Sequence, residues 1–431
     1  MADRESNWPV DLAHVALTDI GMRRANNQDS HSVVLASDQD EWQARGHFFM
    51  VADGMGAHAA GELASKIAVD GVPHLYRKYR ELSPPEALQK AIVETNSEVY
   101  RRGQANSDFR AMGTTASAMA LLPQGALIGH IGDSRVYRVR GTKLHQLTQD
   151  HSLVWELRNK VDAEMASTLP KNVITRSLGP NASVQVDIEG PYKVAVGDTF
   201  LLCSDGLMAR VTDEEIAAIL RHLAPHEAGQ LLVDLANLRG GPDNITVIVA
   251  QVTGRELASA ESDAAPIRIG RVKNDPKSEL AFLVGIAVFF LAALLLSVVG
   301  NMLAALGALV IGLVVGLVGF MIRKRNEAKG IELGTGQKLG NGPYTSADCP
   351  NPTEFAASLA KITRELRHAP GAGKYDIDWT QFELLCQNAA EATAKASPAD
   401  AIRDSARAVS LLMEDIRVAM NKDASDSAIE L

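Results

Sequence analysis

Four apolar runs in this chain each meet an aspartate flanked by glycine or proline. Phe48-Phe49-Met50-Val51-Ala52 runs into Asp53-Gly54-Met55-Gly56, and Ile128-Gly129-His130-Ile131 into Gly132-Asp133-Ser134-Arg135. Phe200-Leu201-Leu202-Cys203 runs into Ser204-Asp205-Gly206, and Gly241-Pro242-Asp243-Asn244 immediately precedes Ile245-Thr246-Val247-Ile248-Val249. Short apolar runs of this kind read as buried strands. One Asp-Gly is a turn signal. Four acids at four strand ends, far apart in sequence, point to carboxylates gathered along one edge of a sheet core. Glycine beside them lets backbone carbonyls approach a ligand closely. Such a cluster calls for cations.

The surrounding elements come in blocks. Strands are expected at 14–18, 32–36 and 47–52, then helices over 59–79 and from Pro84. Consecutive strands follow at 114–122, 126–131, 135–140 and 143–147, and Asp150 to Lys171 reads as a polar, partly helical insertion. Strands resume at 184–188 and 199–204, helices start at Asp213 and Pro225, and a last strand spans 245–252. Blocks rather than strict alternation argue for antiparallel sheets with helices outside.

A chain of 431 residues exceeds one ordinary domain. Residues 255–279 are polar and read as a linker, whereas Leu280 to Ile322 carries no charged side chain. A single membrane crossing needs about 20 residues, and this run is about twice that. Gly300-Asn301 sits at its midpoint, so two helices are expected, near 280–300 and 302–322. Arg271, Lys273 and Lys277 flank one end and Arg323, Lys324 and Arg325 the other. Basic flanks on both sides place both in the cytoplasm, as a hairpin through a lipid bilayer requires. Residues 323–346 read as a second linker. Three segments of helical periodicity, 352–366, 379–396 and 398–420, make a helical domain over 347–424, a module for self-association or partner binding. The net charge of -9 and the lack of a basic stripe argue against nucleic acid. Cys203, Cys349 and Cys386 are widely spaced, which fits a reducing compartment. Residues 1–11 lack a secretory start.

Aspartates and backbone carbonyls are hard ligands that suit Mg²⁺ or Mn²⁺. Two such ions sharing a carboxylate can hold a bridging water and lower its pKa toward neutrality. A guanidinium would grip a phosphate with its planar fork. Arg24, beside Asn26 and Asp29, is the candidate, and chemistry alone does not separate it from Arg23. Arg135 and Arg176 read as structural ion-pair residues. Cys203 reads as a buried strand residue, because Arg210 lies one position too far for a Cys-x5-Arg phosphate loop.

Eight pieces in order carry a family resemblance. They are Arg24-Ala25-Asn26-Asn27-Gln28-Asp29, Asp53-Gly54-Met55-Gly56 with His58 and Gly61-Glu62, Met112-Gly113-Thr114-Thr115, Gly132-Asp133-Ser134-Arg135, Leu147 to Ser152, Thr175 to Gly179, Ser204-Asp205-Gly206-Leu207, and Asp243-Asn244. Over about residues 12–253 the chain resembles the bacterial metal-dependent serine/threonine phosphatases of the protein phosphatase 2C (PPM) family. The resemblance implies an α+β fold: an α-β-β-α sandwich of two antiparallel sheets, within a phosphatase domain at 1–254. It implies that Asp53 bridges two metals, that Gly54 gives its carbonyl to the first, and that Asp205 and Asp243 bind the second. Asp133, with Asp205, would hold a weaker third metal. Arg24 would bind the substrate phosphate, and Asp29 and Gln28 would hydrogen-bond metal waters. Many members have Glu at the Gln28 position. Met55 stands where animal members carry a histidine, which leaves the general acid open between His58 and His151. Residues 150–171 would be the flap bordering the site.

The expected function is therefore hydrolysis of phosphoserine and phosphothreonine by a metal-bridged hydroxide, in a multi-pass protein of the cell (inner) membrane whose catalytic and C-terminal domains are cytoplasmic. Its partners would be phosphorylated proteins and a serine/threonine kinase system. The alternative is a pseudophosphatase that binds phosphoproteins as a membrane scaffold.

Overall fold

The computed structural model describes residues 11–57, 59–158, 168, 170, 173–259, 265–269, 276–327, 331–333, 337–368 and 377–429, with the backbone alone over 276–286, 318–327, 331–332 and 420–429. The chain forms two units. One comprises residues up to 265 together with 335 onward, and the other residues 266–334.

The first unit opens with β1 (Leu12–Asp19), β2 (Asp29–Val34), α1 (Gln39–Arg45) and β3 (His47–Met55). Phe48 to Ala52 of β3 are all fully buried. A strand covered on both faces needs a continuous apolar run rather than alternation. On one face Phe48 meets the ring of Tyr76, with centroids 5.4 Å apart. On the other, Phe49 and Val51 enter the inter-sheet core with Val136, Phe200, Leu202 and Ile248.

Next come α2 (Ala60–Lys78), α3 (Pro84–Ala105), β4 (Gly113–Thr114), β5 (Ala116–Leu122), β6 (Gly125–Ile131), β7 (Arg135–Arg140), β8 (Lys143–Gln146) and α4 (Leu153–Leu157). α3 starts where it does because Ser83 and Glu86 form a capping box around Pro84-Pro85. β9 (Asp187–Tyr192), β10 (Thr199–Cys203), α5 (Asp205–Met208), α6 (Asp213–His222), α7 (Pro225–Leu238) and β11 (Ile245–Val252) complete the part matching the block pattern of the sequence.

Two six-stranded groups result. One sheet has the order β1-β11-β10-β7-β8 and then a strand from beyond residue 335, β14 (Thr345–Asp348). The other runs β2-β3-β5-β6-β9, with β4 paired to β3. All pairings are antiparallel, as the block order led us to expect.

The second unit contains β12 (Ile267–Ile269), α8 (Pro276–Val298), α9 (Met302–Glu327) and β13 (Ile331–Leu333). β12 and β13 pair antiparallel, Ile267 opposite Leu333. α8 and α9 pack side by side and join through Gly300, whose φ of 84° is a conformation glycine adopts readily. Among the described residues no helix is long and apolar enough to cross a membrane.

The C-terminal region is helical: α10 (Pro352–Arg367), α11 (Trp379–Ala394) and α12 (Pro398–Ile429). Phe355, Leu359, Ile402 and Val409 share one buried cluster with Ile219, Leu231 and Leu232 of α6 and α7. The stretch read as a linker at 323–346 contains β13 and the start of β14, and the one at 255–279 contains β12. These strands are short, and their pairing partners lie far away in the chain.

Candidate active site

β3 does not stop at Asp53. It runs on to Met55 because Gly54 and Met55 pair with Thr114 and Gly113 of β4. Asp53 therefore lies within the strand, opposite Asp29 at the start of β2. The Asp53 N–H donates to Thr115 Oγ1 at 2.9 Å. Gly54 is packed so closely that a Cβ would sit 2.2 Å from the Gly61 carbonyl oxygen. No other residue fits there.

The remaining acids arrive from three turns. Asp133 follows Gly132, which takes a φ of 111° between β6 and β7. Asp205 opens α5 directly after β10. Asp243 precedes β11, where Asn244 ties the early loop down: its Nδ2 donates to Ile20 O at 2.9 Å and Asn26 O at 3.0 Å, and its Oδ1 accepts from Gln28 N at 2.8 Å. Arg24, in that loop, donates from Nη2 to Asp243 Oδ2 at 2.7 Å. Ser204 Oγ donates to Asp29 Oδ2 at 2.7 Å and accepts the Thr246 N–H at 2.9 Å.

The electrostatics are those of crowded, buried carboxylates. Burial first, then Asp29, Asp205, Asp133 and Asp243, holds the Asp53 carboxyl well above the usual carboxylate range. Burial pushes Asp29 up to about 7, opposed by the Ser204 and Thr246 hydrogen bonds and reinforced by Asp205 and Asp243. Asp133 is raised to about 7 by burial, Asp205 and Asp150. Asp205 is raised by burial and Asp243. Asp133 Oδ1 is buried with no hydrogen-bond partner. Among the described residues no group of three or more His, Cys, Asp or Glu is arranged to hold a metal ion by side chains alone. The donor set nonetheless fits hard divalent cations: carboxylates that repel one another, a backbone carbonyl at Gly54 and an orphaned Asp133 oxygen all want positive charge.

A cavity of about 440 Å³ opens beside three acids of this cluster, Asp133, Asp205 and Asp243, and is lined also by Asp150, Trp155 and Arg158. A larger one of about 650 Å³ lies between α7 and the C-terminal helices. There Arg407 is already paired with Glu227 at 2.7 Å, and none of the clustered aspartates lines it.

Residues weighed on the sequence sort as follows. Asp29, Asp53, Asp133, Asp205 and Asp243 act on one another electrostatically, and Arg24 rather than Arg23 pairs with one of them. Gln28 Nε2 donates to Gly56 O at 3.3 Å. His151 is buried, its Nδ1 accepting the Gly132 N–H at 3.1 Å and its Nε2 2.9 Å from Asp187 Oδ2. Both its nitrogens are engaged away from the cavity. His58 lies outside the described residues. Arg135 pairs with Asp150 at 2.7 Å and Arg176 with Asp187 at 2.9 Å, as structural roles require. Cys203 is fully buried, and burial pushes its thiol up.

Sequence reasoning assigned no role to Ser204, Thr115, Asn244, Asp150, Trp155 or Arg158. The first four stood inside recognisable motif strings. Trp155 and Arg158 carried no signal beyond their place in the polar insertion.

Known proteins match the chain over the same region. The family profile described as Protein phosphatase 2C matches residues 23–235. A putative protein phosphatase 2C-type protein of Streptococcus pyogenes is 39% identical over 237 residues, covering 53% of this chain and 93% of the relative. The serine/threonine phosphatase stp of Listeria monocytogenes is 36% identical over 257 residues, covering 58% and 98%. The solved S. agalactiae serine/threonine phosphatase superposes with a TM-score of 0.50 at 34% identity, covering 56% of this chain and 99% of that one.

Proposed function

Since the chain belongs to the protein phosphatase 2C family and is a metal-dependent serine/threonine protein phosphatase, we propose that the cavity lined by Asp133, Asp205 and Asp243 is where phosphoserine and phosphothreonine of protein substrates are hydrolysed. The observation that carries this reading is the mutual repulsion of Asp29, Asp53, Asp133, Asp205 and Asp243, three of which, Asp133, Asp205 and Asp243, line one cavity. Asp53, the Gly54 carbonyl, Asp205 and Asp243 would hold two Mn²⁺ or Mg²⁺ ions, and Asp133 with Asp205 a third. Bound ions supply counter-charge for the phosphoryl oxygens and lower the pKa of the attacking water.

The chain's own groups do the positioning. Arg24 spends one N–H on Asp243, and its fork leaves others for phosphate oxygens. Asp29, anchored by Ser204, accepts a hydrogen bond from the attacking water and so orients it. The Trp155 side of the cavity holds the polypeptide around the phosphorylated residue. Phosphate release from a phosphothreonine peptide, with and without Mn²⁺, tests the assignment. Turnover should need the metal and vanish in Asp53→Asn, and wild-type turnover by that variant at saturating metal would overturn it.

We also assign residues 280–322 to a bilayer, as a hairpin with both ends in the cytoplasm. In support, the run is uncharged and basic at both flanks. Its described side chains are exposed although apolar: Leu295 is 59% exposed, Leu303 88% and Leu317 61%. Apolar surface of this extent marks a membrane or protein partner. Retention of the full chain in membranes after alkaline carbonate extraction is the expected result, and its release would overturn the tether. A serine/threonine kinase system would supply the phosphoproteins.

A further inference from the structure

The segment that follows α9 and β13 does not hang free. Leu339 bridges to Gly190 on the edge of β9, with the Gly190 N–H donating to Leu339 O at 3.1 Å. Six residues later, β14 adds to the edge of β8, Thr345 opposite Gln146. Residues 337–348 thus strap the two sheets of the sandwich together at one side. Glu189 shows how deep the dependence goes. Its carboxylate is buried, 3% exposed, and accepts from Tyr192 Oη at 2.8 Å and from three strap groups, the Asn341 N–H at 3.4 Å, the Gly342 N–H at 3.2 Å and the Tyr344 hydroxyl. Without the strap this buried acid would keep one partner, and an unsatisfied buried acid is costly.

The strap also reaches the catalytic cavity, by two routes. Tyr344 presents its ring to Trp155 edge-on, centroids 6.4 Å apart at 77°, a favourable aromatic geometry. Trp155 lines the cavity, and Arg158 lies over its ring at 3.6 Å. Separately, Thr345 Oγ1 donates to Gln146 Oε1 at 3.1 Å, and Gln146 Nε2 donates to Asp150 Oδ1 at 2.9 Å. Asp150 lines the same cavity.

We propose that residues 337–348 are a working part of the active site and that Tyr344 is a positioning residue for phosphoprotein binding. Fixed by Glu189 at its hydroxyl, it holds Trp155, and with it Arg158, as the wall against which the peptide around the phosphorylated residue lies. A phosphate ester too small to reach that wall does not need it. The proposal rests on the phosphatase activity above. A wild-type chain inactive on every phosphate ester would sink that activity, whereas the variants below bear on the strap.

The test measures kcat and KM of the full chain at saturating Mn²⁺, for a phosphothreonine peptide and for p-nitrophenyl phosphate. Tyr344→Ala is expected to raise the peptide KM about tenfold while leaving kcat within about twofold and p-nitrophenyl phosphate kinetics nearly unchanged. Tyr344→Phe keeps the ring and should restore most of the peptide KM. Trp155→Leu should raise the peptide KM as much as Tyr344→Ala, and the double variant no further, because coupled residues are not additive. If Tyr344→Ala does not fold, Tyr344→Leu takes its place, retaining apolar bulk without a ring edge. An unchanged peptide KM, an equal loss of kcat on both substrates, or additive effects of the two positions would each overturn the proposal.

Discussion

Ser204, at the end of β10, donates its hydroxyl hydrogen to Asp29, at the start of β2, over 2.7 Å. The bond joins the two sheets at the point where the acids meet. Its oxygen also accepts the Thr246 N–H, so one side chain serves three strands. Ser204→Ala should therefore do two things. It should cost about 1–3 kcal/mol in denaturant unfolding, since it strips a buried carboxylate of a partner. It should also lower kcat roughly tenfold, because Asp29 loses its orientation.

Removing a charge from the cluster should stabilise the metal-free protein even as it kills activity. Asp53 is crowded by four other carboxylates. In chelator, Asp53→Asn should melt roughly 2–4 °C above wild type, the shift that about 1 kcal/mol produces in a domain of this size. With Mn²⁺ the order should invert, because the wild type gains binding energy that the variant lacks. Calorimetry with and without metal reads both.

His47 gives the acid limb of stability a specific source. Its Nδ1 accepts the Ala36 N–H at 3.0 Å, which demands a neutral ring. Burial, then Arg77 and His14, lowers its pKa from 6.5 to about 4. The unfolded chain takes up the proton first, so the contribution is complete above pH 6.5 and is lost as pH falls toward 4. The slope is at most about 1.4 kcal/mol per pH unit. His47→Gln should be less stable at pH 7 but show a shallower decline below pH 6.5, measured by urea unfolding across that window.

Arg417 of α12 donates to Asp234 of α7, whose side chain is 0% exposed. Apart from Arg417, Asp234 accepts from Gln230 Nε2 at 3.0 Å. Arg417→Met should leave that acid buried with the Gln230 amide but without its counter-charge, at a cost of about 2–3 kcal/mol given the partial exposure of the arginine. Limited proteolysis should then cut within α12 before it cuts the sheets.

The sheets were legible because their strands are apolar runs punctuated by glycine, a local signal. The acids were legible because each interrupts such a run. What escaped was set by distant partners. Asp53 read as lying beyond its strand, since nothing near it announces that Gly113–Thr114 will pair there. β14 is Thr-Ser-Ala-Asp, too polar to suggest a strand, and gains its identity only from β8. Trp155 looked like any residue of a polar insertion until Tyr344 was found beside it. One miss was avoidable: Asp38 and Glu41, three apart, carry the capping signature that starts α1. Across 280–322 the structure has helices at 276–298 and 302–327.

The strap lies late in the chain, and that position sets an order of events during synthesis. Strands β1 to β11 leave the ribosome first, then residues 266–334, and only afterwards Leu339, Tyr344 and β14. Domains form as their chain emerges, so the edges of β8 and β9 wait open while the paired helices are made. Glu189 has its full set of partners, and Trp155 its neighbour, only after that. A nascent chain whose helices have not yet been accommodated carries every aspartate of the cluster but lacks the tyrosine that holds the wall in place. The enzyme thereby reaches full competence toward proteins after its second unit has been built, and a stop codon between residues 253 and 339 would release a product with the acids and without the tyrosine that holds the wall.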